Sequence, residues 1–86
     1  MQGVEPEMPR YFFDFMEGGS GVPDDEGTEL ADLAHARKVA VKTLGQIGKD
    51  EFDKASHDRE LVVKVRSEEG RALLYATLSL QVVLPT

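Results

Sequence analysis

Cysteine and tryptophan are absent from the 86 residues. Without thiols there can be no disulfide framework, thiolate metal site or thiol nucleophile, so a stapled secreted mini-protein is excluded. Long apolar runs are also missing, and Met1 to Glu7 lacks the basic-then-apolar pattern of an export signal. The expected home is therefore the cytoplasm, with no membrane among the partners. Bases are scarce at the start: residues 1–32 carry nine acids against Arg10 alone, a net −8, whereas residues 33–86 carry nine bases and seven acids, a net +2. A chain of net charge −6 repels phosphate at long range, so nucleic acid is not an expected partner and a small basic protein suits it better. Charge runs are also ordinary solvated faces, which is the plain alternative reading of this acidity.

What remains is 41% hydrophobic and 30% charged, the balance of one soluble domain with one core. Residues 1–7, with Gly3 and Pro6 and no periodicity, read as a disordered tail, and residues 8–86 as the single domain; Met8 is a second candidate start. Tyr11 to Met16 alternates as a strand, with Tyr11, Phe13 and Phe15 on one face and Phe12, Asp14 and Met16 on the other. Gly18, Gly19 and Gly21 close a hairpin to a short strand around Val22. Pro23 interrupts it, and Asp24-Asp25-Glu26-Gly27 is turn chemistry leading through an edge strand or irregular loop towards Leu30.

Asp32 caps a helix whose apolar stripe is Leu33, Ala36, Ala40, Leu44 and Ile47, with Lys38, Lys42 and Lys49 on the far side. Gly45 and Gly48 weaken its last turns, which places the end near Phe52, and Asp53 to Glu60 reads as a loop. Leu61 to Arg66 alternates as a strand, and Ser67 to Gly70 turns the chain. From Ala72 the even positions Leu74, Ala76, Leu78, Leu80, Val82 and Leu84 are apolar. Such a strand would span about 40 Å, twice the usual length. Its expected partner, Leu61 to Arg66, covers only half of that; the far end, Ser79 to Leu84, is expected to pair with Tyr11 to Phe15, together with a dimer contact, because an exposed apolar edge invites association. The expected fold is α+β: a two-layer sandwich ordered strand-strand-helix-strand-strand, one helix on a mainly antiparallel sheet of three to four strands.

The run Met8-Pro9-Arg10-Tyr11-Phe12-Phe13-Asp14, a glycine-rich turn, then Asp24-Asp25-Glu26-Gly27-Thr28-Glu29-Leu30 and Asp32-Leu33 opening an alanine-rich helix resembles a small bacterial family known only as domain of unknown function 6894. The likeness runs from Met8 to about Val83 and implies a free-standing cytoplasmic protein, with no activity, cofactor or catalytic residue to carry over. In layout, Tyr11 to Leu44 is also similar to HicB-type antitoxin domains. That likeness implies, as the alternative function, neutralisation of a small basic RNA-cleaving toxin.

No constellation reads as catalytic or metal-binding, and no cofactor is expected. Asp24, Asp25, Glu26 and Glu29 lack the alternating ligands and closing glutamate of a calcium loop, and fit better as an acidic patch that steers a basic partner. His35 and His57, the only histidines, have no nucleophile motif beside them. Gly45-Gln46-Ile47-Gly48 has the spacing of a KH loop but lacks the second helix such a loop needs. With the helix on one side of the sheet, the other side is expected to present Phe12, Leu73 and Tyr75. The expected function is thus a non-enzymatic interaction module, a homodimer using Phe12, Leu73 and Tyr75 together with Asp24, Asp25, Glu26 and Glu29.

Overall fold

A computed structural model describes residues 8–54 and 58–85; the expected tail 1–7 and His57 lie outside them. Strand β1 (Arg10–Glu17) turns through Gly18 and Gly19 into β2 (Ser20–Val22) and then β3 (Thr28–Glu29). Helix α1 (Leu33–Lys54) follows, then β4 (Arg59–Arg66) and β5 (Ala72–Leu80). The five-stranded sheet runs β2-β1-β4-β5, and β3 pairs with the opening of β1, at Arg10 and Tyr11, as β2 does with its close. Every pairing is antiparallel. This is the α+β fold and element order that the periodicities imply.

Register decides which face is buried. Phe13 and Phe15 lie opposite Val65 and Val63, and Leu61, Val63 and Val65 lie opposite Leu78, Ala76 and Leu74. These residues share the face under α1, so the odd positions of β1 point inward. The core is Tyr11, Leu61, Val63 and Val65 from the sheet with Ala36, Ala40 and Leu44 from the helix. The helix residues recur every four, and the fourth member of the row is Gly48. A Cβ there would sit 2.5 Å from Leu78 Cδ2, so Gly48 lets α1 lie close on β5. It is a packing contact, and the helix continues past it to Lys54. Leu33, by contrast, leaves the stripe and is exposed. At the other end Asp32 caps as expected, its Oδ1 accepting from the His35 amide at 2.9 Å.

The last strand pairs with Leu61 to Arg66 as expected, but its far end does not pair with the first strand. Because β4 starts at Arg59, it matches β5 along its full length, from Leu80 to Ala72, and β1 pairs with the opposite edge of β4. Ser79 to Leu84 therefore does not reach Tyr11 to Phe15. The strand ends at Leu80, and beyond it the Asp58 carboxylate accepts the Val82 amide at 3.0 Å. The ladder is irregular at Val65/Arg66, where Leu74 and Ala72 are successive partners and Leu73 is the extra residue.

Candidate interaction surface

The side of the sheet away from α1 is organised by a buried carboxylate. Asp14, only 7% exposed, is opposite Lys64 in the β1–β4 ladder. Arg66 Nε donates to its Oδ2 at 2.7 Å, and Lys64 Nζ is 3.8 Å from the same oxygen. The Asp24 amide donates to Oδ1 at 2.9 Å. Asp24 in turn spans the turn: its Oδ2 accepts the Phe13 amide, and its Oδ1 accepts the amides of Glu26 and Gly27, all at 3.1 Å. Arg66 Nη2 closes the network by donating to the Asp24 carbonyl at 2.7 Å.

Burial alone would raise the pKa of Asp14. The Arg66 hydrogen bond, the Asp24 amide and the charges of Arg66 and Lys64 outweigh it and hold the carboxyl below its ordinary 3.8. For Asp24, burial is likewise outweighed by the amides of Gly27, Phe13 and Glu26 and by the Arg66 charge. Both stay ionised as fixed acceptors, so their chemistry is spent inside the protein.

Phe12 lies on this same face, half-buried beneath the Arg66 guanidinium, 4.6 Å from the ring centroid. Gly27 completes the enclosure: its φ is +74°, and a Cβ there would sit 2.9 Å from the Phe12 ring and 2.7 Å from Arg10 Cγ. Arg10 also donates to the Glu26 carbonyl at 2.9 Å and lies 3.4 Å from the Glu29 carboxylate.

The expected surface thus divides. Tyr75 stands open at 62% exposure, and Asp25, Glu26 and Glu29 are exposed on the rim. Phe12 and Asp24 are engaged internally. Leu73, carried by the ladder irregularity, packs against the core cluster, which corrects its expected place on the open side. The uncovered face is accordingly charged at its centre, and β5 adds the exposed Tyr75, Thr77 and Ser79 to it.

Sequence reasoning missed Asp14 and Arg66. The signal available was a lone acid in an aromatic strand and two bases at alternate positions of another, but only register joins them. It also missed Arg59, which contacts Glu17 and lies 3.7 Å from Glu51, tying β1, β4 and the end of α1 together. A hollow of about 620 Å³ opens beside this end of the sheet, between Phe15, Met16, Val22 and Val62.

The segments so joined, the opening of β1 and the Asp24–Gly27 turn, are those that carried the family resemblance. A protein-family profile for a domain of unknown function, DUF6894, matches residues 10–79. The chain belongs to the DUF6894 family. In this member the family-like segments Arg10–Asp14 and Asp24–Gly27 form the ionic latch and its aromatic cover. Comparison with curated proteins and with solved structures gives no match, and the likeness to HicB-type antitoxins gains no support. Among the described residues, no helix is long and apolar enough to cross a membrane.

Proposed function

We propose that this DUF6894 protein is a non-enzymatic interaction module that self-associates through the β5 side of its sheet. One observation carries the reading: half of the eight exposed large apolar side chains among the described residues lie there. Tyr75, Val82, Val83 and Leu84, at 62, 60, 84 and 79% exposure, all lie on β5 or the residues that follow it. Three of the four are consecutive in the chain, and exposed apolar surface grouped in this way marks binding sites. Asp14 and Asp24 brace a turn by accepting hydrogen bonds from within the protein, which fits a binding role.

Analytical ultracentrifugation of the whole chain tests this. Self-association into a discrete dimer at micromolar concentration is the expected result. A strict monomer at high micromolar concentration contradicts it.

A further inference from the structure

Resting on that reading, we infer that the occupant of this side is a second copy of the chain, added to the outer edge of β5 in antiparallel fashion with Thr77 on the two-fold axis. An outer strand exposes a row of unpaired backbone donors and acceptors, and monomeric proteins blunt such edges with charge, proline, bulges or brevity. Beyond the irregularity at Leu73, β5 has none of these: Leu74-Tyr75-Ala76-Thr77-Leu78-Ser79-Leu80 contains no charged residue and no proline, and its ladder is regular. Among the described residues its only pairing is to β4. The other edge of the sheet is defended, since β2 is three residues long, contains Gly21 and runs into Pro23.

That contrast selects a like-with-like contact. A head-to-tail contact would set a nine-residue edge against a three-residue one and leave free edges for endless growth, whereas β5 against β5 closes at two copies. Charge points the same way. Residues 8–32, which form β1, β2, β3 and their loops, carry seven acids against Arg10, a net −6, whereas residues 33–86, which hold β5, are at +2. Joining the β5 edges keeps the two acidic regions apart.

The register follows from the ladder. Pairing to β4 is regular from Leu74 to Leu80 and breaks below Leu74, so the straight part of β5 has its midpoint at Thr77. Antiparallel partners across an edge share a face, which requires the axis to pass through a residue position. With Thr77 on the axis, Leu74 meets Leu80 and Ala76 meets Leu78 of the other copy, extending the layer under α1. Tyr75 meets Ser79 on the open side. Both copies of α1, which lies over β4 and β5, then flank the axis on one face of a continuous sheet.

The absence of cysteine makes the test direct. In Thr77→Cys, whose side chain is exposed, the two thiols face each other across the axis, so mild oxidation should convert the dimer to a disulfide-linked pair with unchanged sedimentation. Ser20→Cys, on the opposite edge, should remain largely uncrosslinked. Thr77→Lys sets like charges against each other and should weaken association by tenfold or more while leaving the far-ultraviolet spectrum intact. If Thr77→Lys does not fold, the cysteine pair still decides. A dimer that survives Thr77→Lys, or that crosslinks no faster through residue 77 than through residue 20, overturns the edge assignment and leaves self-association standing. A wild-type monomer throughout overturns both.

Discussion

Replacing Asp14 by alanine removes the acceptor shared by the Arg66 guanidinium, the Asp24 amide and the Lys64 ammonium. Hydrogen bonds to a charged group contribute about 1.5–3 kcal/mol each, and breaking a fully buried ion pair costs about 3–5 kcal/mol. Arg66 is partly solvated and keeps its bond to the Asp24 carbonyl, so the lower end applies. The expected loss is about 2–3 kcal/mol, which for a domain of this size lowers Tm by roughly 10–20 °C. Asp14→Asn retains an acceptor for the Asp24 amide and should lose about half as much. Acid should close the gap. Because Asp14 and Asp24 titrate below their ordinary 3.8 when folded, their contribution is complete above that value and is lost as pH falls through the folded pKa. Urea unfolding followed by circular dichroism, at one protomer concentration and at pH 7, 4 and 2.5, reads all of this. A loss under about 0.5 kcal/mol at pH 7, within the range of neutral surface changes, would refute the reasoning, as would a gap that does not shrink in acid.

Gly27→Ala forces a left-handed residue to carry a Cβ against Arg10 and Phe12, and should cost about 2 kcal/mol in the same assay. Gly45 faces open space within α1, so Gly45→Ala should stabilise by about 1 kcal/mol. Gly48→Ala has the same gain in helix propensity but must displace the Leu78 methyl, and should stabilise less than Gly45→Ala or destabilise. Equal stabilisation by the two would contradict close packing of α1 on β5.

Local signals carried most of the fold. The alternation in Tyr11–Met16 and Leu61–Arg66, the glycine hairpin and the Asp32 cap each act over a few residues, and each reappears in the structure. What sequence left open depends on register. That Leu61 to Arg66 neighbours β5 was legible, but alternation did not show that β4 begins at Arg59 and so takes the far end of β5 in place of β1. The helix stripe was misread at its start, where Leu33 is apolar yet exposed; at its end Ile47 packs on the core as expected, joined by Gly48, which has no side chain to announce its burial. The candidate surface was legible in part. Tyr75 followed from parity, but Phe12 and Asp24 were drawn inward by Arg66, which lies more than 40 positions away in the chain. Leu73 was displaced by a one-residue irregularity that no periodicity shows.

Sedimentation equilibrium of the intact chain tests the central claim most directly. The account predicts a species of twice the 9.5 kDa chain mass at micromolar concentration, dissociating when Thr77 is replaced by lysine. A single 9.5 kDa species at every concentration up to several hundred micromolar would contradict it.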